Sequence, residues 1–167
     1  ALYGSLLQLL GWTKSNALLV STALMFGAAG CWYGICRAAH WPREPAALAG
    51  LSLLLFYKCV EAANLARPDA LVLCLMSASV LLLAHHHALA AGLAAAAAVE
   101  VHPIGATTFF YLAAWLLYER RSLLADSTLR RRLAVWGALG LAVGALLFYL
   151  TRPELLTMDH LRDMASR

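Results

Sequence analysis

The residues able to do chemistry lie in three short polar breaks, Arg67-Pro68-Asp69, Glu100-Val101-His102-Pro103 and Arg152-Pro153-Glu154. Each sets a proline beside or between ionisable side chains. In the first, Arg67 can hold an anionic group while Asp69 takes a metal or an acceptor hydroxyl. The plainer alternative is an arginine reaching for water and an aspartate at a helix start. Pro68 biases Arg67 away from helical dihedrals and suits the first turn of a following helix, which puts Asp69 among the exposed N–H groups of that turn. In the second break, Glu100 and His102 offer a carboxylate and an imidazole. Two ligands are too few for a closed metal site, and His102 can also carry a proton or bind phosphate as a cation. A solvated loop accounts for the same residues. Arg152 and Glu154 repeat the charge pattern. Lys58 and Glu61, three apart, read as a pair on one helix face, and His85-His86-His87 as an interfacial loop.

These residues are set in an apolar chain. Of its 167 residues 62% are hydrophobic and 13% charged, and its mean hydropathy is +0.71. A soluble domain runs nearer half apolar and a quarter charged, so the expected fold class is all-α, a polytopic membrane helix bundle forming a single transmembrane domain over residues 1–167. Residues 1–12 are too few to cross a core of about 30 Å and suit an interfacial helix, with Ser15 or Asn16 capping the next one. Apolar runs follow at 17–38, 46–63, 69–84, 106–118 and 133–150, with a short Ala/Leu/Gly stretch at 88–99. About five hydrophobic spans are expected, some short or tilted, with the small residues of 88–99 allowing close helix approach. The tail, 155–167, reads as a polar surface helix. Cys31, Cys36, Cys59 and Cys74 lack metal-ligand spacing and read as buried thiols.

Arginine placement orients the chain. If spans alternate, one side of the membrane holds residues 37–45, 85–87 and 119–132, with Arg37, Arg43, Arg120, Arg121, Arg130, Arg131 and Arg132; the other, with the tail excluded, holds Lys14, Arg67 and Arg152. The positive-inside rule makes the first side cytoplasmic. All three polar breaks then fall on the extracytoplasmic face, where Pro68, Pro103 and Pro153 are expected to mark helix ends opening into one polar cavity. Ionisable groups at such depth suggest function. The cytoplasmic arginine run, 120–132, serves orientation and contact with membrane lipid. Nucleophile elbow, phosphate loop, zinc-helix motif and dinucleotide fingerprint are all missing, and no feature points to nucleic acid.

Three stretches carry a family resemblance. Leu2-Tyr3-Gly4-Ser5-Leu6-Leu7 is similar to a "PPLYYLL" motif. Leu65-Ala66-Arg67-Pro68-Asp69-Ala70-Leu71 is similar to an "ARPDALLL" motif. His102-Pro103-Ile104-Gly105 opens a helix that leads to an Arg-rich cytoplasmic loop. In that order they resemble the membrane half of the GT-C superfamily of glycosyltransferases, in particular its lipid A aminoarabinose transferase and protein O-mannosyltransferase group. The resemblance implies a cell-envelope enzyme of the cytoplasmic (inner) membrane that transfers a hexosyl or pentosyl group from a polyprenyl-phosphate-linked sugar to an acceptor outside the membrane. It implies Asp69 at the rim of the active cavity, Arg67 near the donor phosphate, and Glu100, His102 and Arg152 at the same face. A general base and a cation, such as a divalent metal, complete that chemistry. The family's acidic first outer loop, source of its catalytic carboxylate, is expected before Ala1, and later spans with a soluble outer domain are expected beyond Arg167. The chain is thus expected to be part of a longer protein. The competing functions are a transporter module built on broken helices and a non-catalytic subunit of a larger membrane complex, packed through residues 88–99.

Overall fold

The computed structural model describes residues 8–9, 11, 13–55, 69–119 and 125–151. These form an all-α bundle, with no strand among the described residues. Six helices can be followed: α1 (Lys14–Ala38), α2 (Arg43–Leu55), α3 (Asp69–Ala84), α4 (Ala88–Val101), α5 (Thr108–Tyr118) and α6 (Ser127–Thr151), with a 3-10 turn at Pro103–Thr107 before α5. The short stretch 88–99 is a helix in its own right, Ala88–Val101, one of the six among the described residues.

Local chemistry sets the boundaries. The cap of α1 is Thr13 rather than Ser15 or Asn16: its Oγ1 accepts the Asn16 N–H at 3.1 Å, which satisfies one of the free donors of the first turn. α2 starts at Arg43, ahead of Pro45; a proline in a first turn removes an N–H that would have no helical partner. At the start of α6, Asp126 Oδ1 accepts the N–H groups of Thr128 at 2.9 Å and Leu129 at 3.0 Å. Arg130, Arg131 and Arg132 therefore belong to the opening turns of a helix, where a loop had been expected.

Packing contacts give the direction of every helix. α1 and α3 run parallel, since Gly27 lies beside Cys74 and Gly34 beside Leu81. α2 folds back on α1 with Gly50 against Ala29. α3 and α4 make a hairpin through His85–His87, and Ser79 Oγ donates to the Ala91 carbonyl across it at 2.8 Å. α4 and α6 are parallel: Gly92 faces Gly137 and Gly140, and Ala96 faces Gly144. α5 starts where Thr107 Oγ1 reaches Met76 Sδ at 3.8 Å and ends where Tyr118 OH donates to the Ala39 carbonyl at 3.2 Å. It too runs parallel to α3.

The α3–α4 hairpin is the centre. Neither helix carries any of the large exposed hydrophobic side chains, as expected of helices apolar all round. The peripheral helices carry many: Leu19 is 71% exposed, Leu48 66%, Phe110 77% and Leu146 58%. The core proper is small, built on Ile35, Val80, Leu83, Trp115 and Leu133. Among the described residues α1 is the one helix long and apolar enough by itself to cross a bilayer; α3, α4 and 103–118 are apolar but shorter.

Candidate functional site at one end of the bundle

These directions bring particular helix ends together. The starts of α1, α3 and the 3-10 turn share one end of the bundle with the ends of α2, α4 and α6. Asp69 lies ten residues before Ser79, and Val101 ten residues after Ala91, so the Ser79–Ala91 bond sets Asp69 level with the end of α4. On α6, Gly144 is level with Ala96, which carries Thr151 just past Val101. The last described residue before the Arg152 break thus stands within about a helical turn, roughly 5 Å, of the height of Asp69 and His102. Arg67, Pro68, Arg152, Pro153 and Glu154 lie outside the described residues, as do Lys58, Glu61, Cys59, Arg120, Arg121 and the 155–167 tail, and all but residues 8, 9 and 11 of the N-terminal segment 1–12.

The three described site residues have distinct settings. Asp69 opens α3, is partly buried, and has the following turn's N–H groups beneath it. His102 ends α4 with an extended backbone, φ −159° and ψ 141°, and its Nδ1 accepts the Ile104 N–H at 3.2 Å. With Nδ1 turned onto that N–H, Nε2 is the ring nitrogen left for another partner. Pro103 leads the chain back toward the bundle, and Gly105 is pressed against the last turn of α4 at Ala98. Glu100 lies one turn beyond Ala96, so it shares the α4 face that meets α6. The end therefore holds the three groups at similar height on different walls.

Asp69 lies one turn before Leu73 on α3, and Leu73, Met76, Ser77 and Val80 line a cavity of about 710 Å³ between α2 and α5. Asp69 itself is not among the residues that line it; Trp41 and Tyr118 line it at the arginine end, where the guanidinium of Arg37 donates to the Trp41 carbonyl. The walls are apolar and aromatic. Trp32 and Tyr111 meet edge to face at 6.5 Å between centroids, while the Ser52 and Ser77 hydroxyls turn back onto the carbonyls of Ala49 and Leu73. The indole N–H groups of Trp32 and Trp115 are enclosed without a hydrogen-bond partner, an uncommon expense for a buried donor. Periodicity gave no warning of this cleft; the signal was the aromatic content of 109–118 combined with Trp32 and Trp41.

The opposite end collects the described arginines, Arg37, Arg43, Arg130, Arg131 and Arg132, with His40 and His85–His87. Among the described residues, no three histidine, cysteine or carboxylate side chains form a group able to hold a metal ion. Cys31, Cys36 and Cys74 are free thiols. Compared with protein-family models, curated proteins and solved structures, the chain matches none of them.

Proposed function

We propose that the chain is the membrane-embedded part of a glycosyltransferase of the cytoplasmic membrane, taking a sugar from a polyprenyl-phosphate donor to an acceptor on the extracytoplasmic face. Membrane insertion is supported by the exposed apolar side chains of α1, α2, α5 and α6, far more than the surface of a soluble bundle tolerates. α6 adds an uncharged run from 133 to 150, near the short end of what crosses a core of about 30 Å. The arginines at one end orient that end to the cytoplasm.

The observation that carries the function is Asp69, level with His102 and one helical turn from Leu73 in the wall of the 710 Å³ apolar cavity. A lipid-linked sugar needs both parts of this geometry. Its isoprenoid tail must stay in an apolar groove while its phosphate and sugar reach polar groups at the water boundary. In this function Asp69 holds the acceptor or a divalent cation, Arg67 the donor phosphate, and His102, with Glu100 and Arg152, the remaining polar rim. The transporter alternative needs polar breaks at the bilayer midplane, whereas these stand at helix ends. The subunit alternative leaned on the small residues of 88–99, and α6 and α3 already occupy that surface.

The test is transfer of labelled sugar from polyprenyl phosphate by membranes containing the full-length protein. Asp69→Asn and Arg67→Ala are each expected to lower transfer about a hundredfold or more with unchanged membrane insertion. Undiminished transfer in both variants removes this end of the bundle from the reaction.

A further inference from the structure

α5 stands apart from α6, and the cleft between them is a second cavity, of about 410 Å³, within the range of about 300–1,000 Å³ common to ligand sites. Its walls are aliphatic or small, from Leu83 and Gly92 of the central hairpin, Leu112 and Leu116 of α5, and Leu133 of α6. Among the described residues one lining residue is charged, Arg130, and none is a carboxylate.

Arg130 is also in an electrostatically unfavourable place. With Arg131 and Arg132 it occupies the opening turns of α6, at the positive end of the helix dipole. Among the described residues the acids near this end are Glu44, Glu119 and Asp126. Asp126 spends Oδ1 on the N–H groups of Thr128 and Leu129, and Glu119 ends α5. Three guanidinium groups at a helix start ask for an anion, and the apolar cleft beside one of them asks for a hydrocarbon chain. A phospholipid supplies both in one molecule.

We infer that the α5–α6 cleft is a binding site for an anionic phospholipid of the leaflet at the arginine end, with one acyl chain between Leu116 and Leu133 and its phosphate at Arg130. The aliphatic stem of Arg130 packs along the chain while its guanidinium stays at the headgroup. The bidentate fork of arginine suits a phosphodiester better than the point charge of a lysine. The site rests on the membrane part of the proposed function and is independent of sugar transfer. It lies at the end of the bundle opposite Asp69.

The experiment is native mass spectrometry of the full-length protein released from nanodiscs containing equal phosphatidylglycerol and phosphatidylcholine of identical chains. The wild type is expected to retain phosphatidylglycerol in preference. Arg130→Gln is expected to cut that preference about fivefold, the effect of one basic residue at a charged surface, and Arg130→Lys to keep part of it. Ala134→Phe, placed on the exposed α6 wall of the cleft, is expected to lower retention of both lipids. Circular dichroism checks that each variant keeps its helices. Equal retention of the two lipids by the wild type overturns the site. So does a preference that survives Arg130→Gln, or one indifferent to Ala134→Phe, which would assign it to surface charge alone. A dimer that persists in every lipid and is lost in Ala134→Phe would put a second copy in the cleft. Failure of the protein to enter nanodiscs at all would refute the membrane assignment instead, and inactive enzyme with intact lipid preference would refute only the transferase.

Discussion

Asp126 shows how one side chain can do two jobs at a helix start. Its Oδ1 satisfies two backbone donors, those of Thr128 and Leu129, and its charge opposes Arg130, Arg131 and Arg132 one to two turns on. Removing the cap typically costs about 1 kcal/mol, and the uncompensated arginines add to that. Asp126→Ala is therefore expected to lower the thermal unfolding temperature in detergent, and Asp126→Asn to lower it by less, because the amide oxygen still accepts the two N–H groups. Equal losses in both variants would show that charge, not capping, holds this end. Of the residues singled out in the sequence, Asp69 was legible because proline and aspartate have strong positional preferences at a helix start. The internal bond from Ile104 to His102 Nδ1 was not, since it depends on the extended backbone that ends α4.

Helices α4 and α6 approach through glycine. A Cβ on Gly92 would come within 2.7 Å of the Gly137 carbonyl oxygen, and one on Gly140 would overlap the Leu89 carbonyl. Gly144 is likewise pressed onto Ala96. Close backbone approach maximises dispersion where lipid supplies no hydrophobic drive between helices. Gly140→Val must push the pair apart, and a loss of about 3 kcal/mol or more is expected, in line with severe overpacking. The same change at Gly30, whose Cβ would meet no atom within 4 Å, is expected to cost about 1 kcal/mol or less. Unfolding of both variants in mixed micelles compares them, and similar stabilities would mean that the seam contributes little. The run 88–99 announced close packing by its composition alone. Its partner could not be read from the chain, because glycines at 137, 140 and 144 reveal a match to 92 and 96 only once the parallel register is known. The boundaries of Asp69–Ala84 were legible, and those where charged residues or a proline belong to the helix itself were misjudged, as at Lys14, Arg43 and the start of α6.

At the scale of the molecule, alternation is the property on which the functional assignment stands. The helix directions follow from packing contacts alone, and they gather Asp69, His102 and Thr151 at one end and the described arginines at the other. The same division was expected from the sequence on the assumption that the spans alternate, with the arginine end made cytoplasmic by the positive-inside rule. It leads to a measurement on living cells. Ile104 is exposed at the Asp69 end, and His85 is exposed in the turn at the arginine end. With the native cysteines replaced by alanine or serine, Ile104→Cys is expected to react with a membrane-impermeant maleimide added to intact spheroplasts. His85→Cys is expected to react only after the membrane is opened. Labelling of both from outside would mean that the bundle does not lie across the bilayer. Reversal of the two would set Asp69 against the cytoplasm, where a transferase using externally displayed lipid-linked sugar has no substrate. Only the expected pattern sets Asp69 on the side where a carrier lipid displays its sugar outward.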